Sequence, residues 1–450
     1  MLPNDTINVE GKTLHRIRAC MDFVTAIGTQ VHAGDLGGYI EQDENLSHEG
    51  RAWVTDNAKV YSKARILDNA LVYGNASVFG EAKVFDFTQI YDDAKVHGYA
   101  LILGHTQVFN RAEVCGNAKI SEYARVSDDA RVFGSAKVYG RAKVFDHAEI
   151  SDNARVYDNA TIAGNAKVYN DAQVYGYAEV FRNAEVFNKA EVYGERVSIA
   201  GNAKVYNSAQ VFERATIMGD AKVFDYTKVY GDALIIGNAI IKHNASVYGD
   251  TMILGDAKIS GSAQVYDNAK ISDNALVIGF TRIYGRAQIS DRAVISGDAQ
   301  IYGDAMVHGS AMVSDHAQVF NDAEVFDNAK VFDSAIVNFE AMVHGYAQVY
   351  GHSVIGMHAE ICDNAKVYNN AQVGGFAKVG GNVQVCENVQ VVGDIQLSGD
   401  VTLNGDEKIH TTLDVEQYLT TNNNTQTNNV ETNASMEDYD SRDEQDDTIL

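Results

Sequence analysis

Residues 75–86 read NASVFG-EAKVFD, two copies of a six-residue pattern in which Ala comes two positions before Val. An aliphatic residue recurs every six positions from Val54 to Val192 and, after a shift of one residue, from Ile199 to Leu403. There are 24 such positions before the shift and 35 after it; all 59 are Val, Ile or Leu, and 48 have Ala two residues earlier. A period this strict over about 350 residues indicates a repeat architecture rather than several globular domains.

The hexad pattern predicts a short strand followed by a tight corner. In Ala-x-Val, the Ala and Val side chains point to one side of a strand and the intervening side chain points to the other. Gly, Asp, Asn and Ser fill the remaining positions, as in Asp56-Asn57 and Gly74-Asn75, and they tolerate the positive φ of tight turns. An inward pair of one small and one β-branched residue suits a narrow interior where three walls meet. Three hexads then form one triangular coil of 18 residues, and the 59 hexads predict an all-β solenoid of about 20 coils.

Charged outward positions support the 18-residue coil, because residues 18 apart should stack on neighbouring coils. One column alternates in sign, and opposite charges on neighbouring strands attract each other. Its members are Lys95, Glu113, Arg131, Glu149, Lys167 and Glu185. A second column, with Lys119, Lys137 and Arg155, has a single sign. The sequence alone therefore does not exclude coils of two or four hexads.

Composition indicates an ordered protein in a reducing compartment. The one proline is Pro3, whereas a proline inside a sheet would remove a ladder hydrogen bond. No signal peptide or long apolar segment is evident, which predicts a cytoplasmic protein without membrane association. The net charge of −25 argues against nucleic acid as a partner. The spacing of the four cysteines indicates neither a disulfide framework nor a zinc site. They are Cys20, Cys115, Cys362 and Cys386.

We predict three segments: an N-terminal cap over residues 1–51, the solenoid over residues 52–405, and a C-terminal segment over residues 406–450. A cap is expected because a solenoid end exposes strand edges and its apolar interior. Strands are predicted in the cap at Thr13–Ala19 and, after a turn, at Gly34–Ile40.

The C-terminal segment is predicted to combine a remnant of a cap with an acidic tail. Residues 411–450 are rich in Asn, Thr, Asp and Glu and should be disordered. Val415–Leu419 could add a short helical cap before the tail. Inside the solenoid, the shift at residues 195–198 predicts a one-residue bulge at a corner, with a functional kink as the alternative.

The repeat unit resembles a known family pattern, with an aliphatic residue, three variable residues, a small residue and one more. Residues 78–83 (VFGEAK) fit this pattern, which is that of the hexapeptide-repeat superfamily of left-handed parallel β-helices. Tyr or Phe commonly follows the aliphatic residue, which is similar to the YdcK-type predicted acyltransferases of bacteria and phages. Residues 11–19 (GKTLHRIRA) and 34–41 (GDLGGYIE) also look like theirs. The resemblance implies left-handed coils and trimeric enzymes that use a catalytic histidine and bind acyl-CoA in a groove.

Histidines at outward or corner positions are the candidate catalytic residues. His308 and His344 share a column two coils apart, and so do His316 and His352, while His358 lies one hexad beyond His352. Two coils are about 9.6 Å apart, too far for one metal ion to bridge two such side chains, so no metal site is predicted. The alternative interpretation is that these are solvated surface histidines.

Outward apolar and aromatic columns are candidate binding surfaces. Leu276, Val294 and Met312 fall in one column with Ile278 beside them, and stacked outward apolar side chains are typical of a contact face. We expect self-association there, as a trimer, or binding of a protein partner; a tolerated apolar stripe is the alternative. Outward aromatic residues should stack and stabilise the sheets, or else bind glycans. One such column contains Tyr139, Tyr157, Tyr175 and Tyr193.

The leading functional hypothesis is a non-catalytic rod that acts as a structural or protein-interaction scaffold and needs no cofactor. It is motivated by uniform coils, since no loop longer than a single residue is extruded between residues 54 and 403. The alternative is an acyl-CoA-dependent acyltransferase of the hexapeptide-repeat type, which would use acetyl-CoA or another acyl-CoA. A second alternative is a glycan-binding surface or a phage-associated protein.

Overall fold

The computed structural model describes residues 1–421 of the 450-residue chain. The chain divides into two compact units, Met1–Gly231 and Asp232–Leu450, and the second is described as far as Thr421. Each unit is a parallel β-solenoid, and together the units contain about 21 turns. The predicted all-β solenoid is therefore confirmed. Within residues 1–421, no helix has the length and apolar content needed to cross a membrane.

The first unit begins with a cap of five strands and a 3₁₀ turn. These elements are β1 (Thr6–Val9), β2 (Lys12–Arg18), β3 (Phe23–Val24), β4 (Gln30–Val31), β5 (Leu36–Ile40) and the turn Asp43–Asn45. Strands β1, β2 and β5 form an antiparallel sheet, and β2 and β5 confirm the two strands predicted in the cap. Tyr39 of β5 also pairs in parallel with Lys59, so parallel pairing begins inside the predicted cap.

Solenoid strands of the first unit follow the hexad pattern. Each one contains the outward residue and the aliphatic residue after it, starting with Trp53–Val54 and recurring every six residues to the strand that begins at Glu191. After the shift, the strands run from Ser198–Ile199 to Lys228–Val229. Three strands are extended by two residues: Gln173–Gly176, Glu191–Gly194 and Gln210–Glu213.

Strands of the second unit keep the same spacing, from Leu234–Ile235 to Lys408–Ile409. The last of them lies beyond residue 405 and extends the repeat by one strand. Four strands are longer: Lys258–Gly261, Leu276–Gly279, Gln372–Gly375 and Gln390–Gly393. The helix Thr412–Thr421 follows and contains the predicted helical cap at Val415–Leu419. The rest of the predicted tail, residues 422–450, lies outside the described residues.

The core of each unit consists of the inward Ala and aliphatic side chains. Ala148 and Ile150 in the first unit, and Ala305 and Val307 in the second, have no exposed surface. Strand alternation places the residue between them on the outer face, where Glu149 and Met306 are half-buried. The narrow interior therefore excludes water, and only the outer positions are free to vary in chemistry.

Backbone pairing fixes the coil at three hexads. Glu113 pairs with Lys95 in the preceding coil and with Arg131 in the following one. The Arg131 Nε donates to Glu113 Oε2 at 3.1 Å, so the column of alternating charge forms cross-strand ion pairs. The like-charged neighbours Lys119 and Lys137 are paired by the same register. Coils of two or four hexads are thereby excluded.

Corners are stabilised by a second ladder, built from turn residues with positive φ. Asp146 has φ +60° and its Oδ2 accepts the N–H of Gly164 at 2.9 Å. Asp152 has φ +57° and accepts the N–H of Asn170 at 3.0 Å in the same way. Short acidic and amide side chains tolerate this conformation and bond to nearby backbone, which explains their frequency at the corners.

A bulge accounts for the register shift in the first unit. Glu179 pairs with Ser198, which lies one position further along the chain than the three-hexad spacing requires. The N–H groups of Glu195 and Arg196 both donate to the carbonyl of Glu213, at 3.0 and 3.2 Å. Two residues of one coil thus face one residue of the next, which confirms the predicted one-residue bulge.

Gly194 beside the bulge should not tolerate a side chain. Its φ is +136°, and a Cβ there would lie 2.5 Å from the backbone N and O of Glu213. Gly194→Ala should therefore lower the free energy of unfolding by about 1–3 kcal/mol, measured as a lower urea midpoint.

Gly134→Asn is the matched control for this prediction. Gly134 has φ +69°, and Asp152 and Asn170 occupy the same place in the next two coils with φ +57° and +59°. A Cβ at Gly134 would come within 2.6 Å of Asp152 N, yet Asp152 itself carries a Cβ at that corner, so the coil spacing accommodates one. Equal urea midpoints for the two variants would contradict the assignment of strain to the bulge.

Candidate functional site

The structure brings two of the five candidate histidines into one stack. The His308 ring packs on Phe326, with ring centroids 5.3 Å apart, and Phe326 packs on His344 at 4.7 Å. The Nε2 of His308 lies 2.7 Å from Glu324 Oε1, and the corresponding distance from His344 to Glu360 is 3.0 Å. Both imidazoles are therefore half-buried and paired with a carboxylate from the next coil.

The other three histidines lie at two other corners, with His316 and His352 two coils apart at one of them and His358 at the next. His316 is exposed, with its Nε2 3.3 Å from Asp298 Oδ2. His358 stacks on Phe376, and its Nδ1 lies 3.1 Å from a carboxylate oxygen of Glu340. The N–H of His352 donates to the carbonyl of Asn369 as part of the coil ladder. The five histidines therefore do not converge on one site.

His344 belongs to a cluster that the sequence did not single out. Its imidazole, the Glu360 carboxylate and the Cys362 thiol place their ligand atoms within 4.8 Å of one another. Lys378 Nζ donates to Glu360 Oε1 at 2.7 Å. Burial opposes ionisation of Glu360, but hydrogen bonds from Lys378 and His344 hold its pKa below the usual value. Burial raises the pKa of Cys362 to about 11.

The first unit contains a cluster with the same arrangement, formed by His97, Glu113 and Cys115. The His97 Nε2 lies 2.9 Å from Glu113 Oε1, while Arg131 occupies the other carboxylate oxygen at 3.1 Å. The hydrogen bond with His97 lowers the pKa of Glu113 despite partial burial, and Arg131 adds to the effect. Burial raises the pKa of the Cys115 thiol.

A common spacing identifies both clusters. The cysteine follows the histidine by three hexads, and the glutamate stands two positions before the cysteine. Residues separated by three hexads are stacked neighbours on adjacent coils, so groups far apart in sequence become direct contacts. Once the coil length is known, this spacing is sufficient to identify the clusters from the sequence.

The predicted apolar contact residues lie together in the second unit. Leu276 pairs with Val294, and Val294 pairs with Met312. Ile278 is 38% exposed and Met312 is 39% exposed, while Phe280 at the adjoining corner is 68% exposed. We call Leu276, Ile278, Phe280, Val294 and Met312 together the apolar column. It places a run of hydrocarbon on an outer wall of this unit.

The tyrosine column in the first unit is stacked, as the sequence predicted. Ring centroids of Tyr139, Tyr157, Tyr175 and Tyr193 follow one another at 4.7–4.8 Å with nearly parallel planes. Each inner ring is thus covered on both faces by its neighbours. Stacking of a sugar needs a free ring face, so this geometry favours sheet stabilisation over glycan binding.

A surface pocket of about 700 Å³ lies beside the bulge. Asn159 and Thr161 are among its lining residues. Its other lining residues are Arg141, Lys143, Tyr177, Glu179, Glu195 and Arg196. Cations and carboxylates are mixed along this wall, so the pocket has no dominant charge.

The fold and these outer walls define a β-solenoid repeat protein. The family model described as YdcK beta solenoid repeat matches residues 124–140, 154–170 and 299–315. The matches fall in both compact units, and each covers a stretch of about three hexads, close to one coil. No curated protein matches the chain.

The stability of the protein should depend on pH through the contacts of Glu113 with His97 and Arg131. The pKa of Glu113 is lowered in the folded protein, so its contribution to stability is present above its unfolded value of about 4.3 and is lost as the pH falls through the folded pKa. Glu113→Gln should therefore be less stable than the parent at about pH 7, and the difference should shrink at about pH 3.

Urea midpoints at the two pH values measure this effect. Gln107→Ala, an outward neutral change on a neighbouring face, is the control and should give a difference that does not depend on pH. A Glu113→Gln difference that is equal at both pH values would contradict the ion-pair account.

Proposed function

We propose that this protein is a non-catalytic scaffold that uses an outer wall of its solenoid to bind protein. The observation behind the proposal is the apolar column in the second unit, where Ile278, Phe280 and Met312 are exposed. Exposed, contiguous hydrocarbon of this kind is typical of protein contact sites.

The wall around the apolar column is suited to a flat contact. Ser260, Ser296 and Ser314 stand in the same column as Ile278, where their small side chains leave little relief. Lys258 and Lys330 bound the column at its two ends and pair with its first and last members. A hydrophobic centre with a charged rim is the usual anatomy of a protein interface.

The register makes this wall rigid. Each coil is bonded to the next by backbone hydrogen bonds, as from Leu276 N to Ala293 O and from Val294 N to Ala311 O, both at 2.9 Å. The side chains beneath are fully buried Ala and aliphatic residues. A rigid surface loses little conformational entropy on binding, which favours association through a modest apolar area.

The occupant that we propose is a second copy of this chain. The small Ser side chains beside Ile278 keep the relief of this wall low, which suits contact with a similar wall on another copy. Self-association through one patch is also the commonest route to soluble oligomers. A partner of different sequence is the other outcome that the experiment distinguishes.

Charge placed in the apolar column should prevent self-association. Leu276→Lys combined with Met312→Lys introduces two cations between Lys258 and Lys330, so a desolvated contact becomes unfavourable. Sedimentation velocity should show an oligomer for the parent at micromolar concentration and a monomer for the double variant.

The matched control is Gln300→Lys combined with Gln318→Lys, which adds the same charge to neighbouring coils on another face. It should sediment like the parent. A parent that is monomeric at all concentrations, or an oligomer that survives the Leu276→Lys and Met312→Lys changes, would contradict self-association through this column.

An acyl-CoA-dependent acyltransferase is the alternative that the family resemblance raises. The carboxylate-paired His344 favours it, since a histidine held by Glu360 is a common general base. Such an enzyme must bind acetyl-CoA or another acyl-CoA. Saturable binding of acetyl-CoA, together with acyl transfer that is lost in His344→Ala, would favour the enzyme over the scaffold.

A further inference from the structure

We propose that the two His–Glu–Cys clusters bind a divalent transition metal ion of the zinc class, one ion in each compact unit. The first-unit cluster is His97, Glu113 and Cys115, and the second-unit cluster is His344, Glu360 and Cys362. This proposal is independent of the scaffold function.

Ligand chemistry selects the class of metal. Imidazole nitrogen, thiolate sulfur and carboxylate oxygen together suit Zn²⁺ or Co²⁺, whereas Ca²⁺ and Mg²⁺ take oxygen ligands. Three protein ligands leave a fourth tetrahedral position for water, as in open zinc sites. On coordination, the thiol gives its proton to solvent and binds as thiolate.

The distances are close to those of a tetrahedral site. Metal–ligand bonds of about 2.0–2.3 Å place neighbouring ligand atoms about 3.3–3.6 Å apart. The ligand atoms in each cluster lie within 4.8 Å of one another, and His344 Nε2 is 3.0 Å from Glu360 Oε1. A bound ion would replace the present His344–Glu360 hydrogen bond.

Surrounding charges orient the ligands. Asp327 Oδ2 lies 4.0 Å from His344 Nδ1, so a second carboxylate faces the ring nitrogen that is not directed at Glu360. In the first unit, Arg131 holds Glu113 Oε2 and leaves Oε1 directed at His97. In the second unit, Lys378 Nζ and His344 Nε2 both contact Glu360 Oε1, so an ion there would share that oxygen with Lys378 or bind Oε2.

The chain contains natural comparisons for both clusters. His308, Glu324 and Phe326 have the same spacing as the clusters, but Phe stands where the clusters have Cys. Cys386 has the same relation to Gln384 and Tyr368, whose hydroxyl donates to Gln384 Oε1 at 3.3 Å. The first set lacks the thiol, and the second lacks both imidazole and carboxylate.

Cobalt titration of the full chain tests the proposal. Co²⁺ bound to thiolate gives an intense ligand-to-metal charge-transfer absorption, so the signal reports cysteine coordination directly. The parent should bind two equivalents with this absorption, Cys115→Ser and Cys362→Ser should each bind one, and the double variant should lose the signal. Cys386→Ser should retain two equivalents.

A gain of binding provides a test that does not depend on losing a side chain. Phe326→Cys completes a His308–Glu324–Cys set and should raise the stoichiometry to three. A parent without the absorption, or one that keeps it in the Cys115→Ser and Cys362→Ser double variant, would overturn the proposal. Circular dichroism of each variant checks that the solenoid remains folded.

Discussion

The width of the interior is the constraint on which the rest of the structure depends. Three walls meet around inward pairs such as Ala148 and Ile150, and both side chains are completely buried. A small residue followed by a branched aliphatic one fills this space in most coils, Val383 and Ile395 fill the small position in later coils, and a shift by a single residue would turn the buried set outward. The register is therefore fixed in every coil, and the one-residue shift at Glu195 and Arg196 is absorbed by a bulge at a corner.

Because the register is fixed, residues at a constant separation in the sequence come into contact on the outer walls. Residues three hexads apart become stacked neighbours, so the same rule generates the tyrosine stack, the ion pairs around Glu113 and the His–Glu–Cys clusters. The two proposals use this property in different ways, since the apolar column would act as a contact face and the His–Glu–Cys clusters as sets of oriented ligands.

Much of the fold follows from the hexads, because a strict inward pattern allows one register. The strand Lys408–Ile409 was missed because Glu407 occupies the place of the small inward residue. The parallel pair Tyr39–Lys59 was missed because the interval between these two positions is not a whole number of hexads. The His–Glu–Cys clusters escaped a search for closely spaced cysteines, since their side chains are known to be neighbours only after the coil length is known.

The coil length is tested most directly by disulfide cross-linking of paired outward positions. Gln89 and Gln107 are partners on adjacent strands, and strands about 4.8 Å apart lie within disulfide range. Gln89→Cys with Gln107→Cys should cross-link readily under mild oxidation, as detected by mass spectrometry of the linked peptides. Cysteines at 89 and 101, or at 89 and 113, should not. Preferential cross-linking of either of those pairs would indicate a coil of two or four hexads and contradict the register from which every contact described above follows.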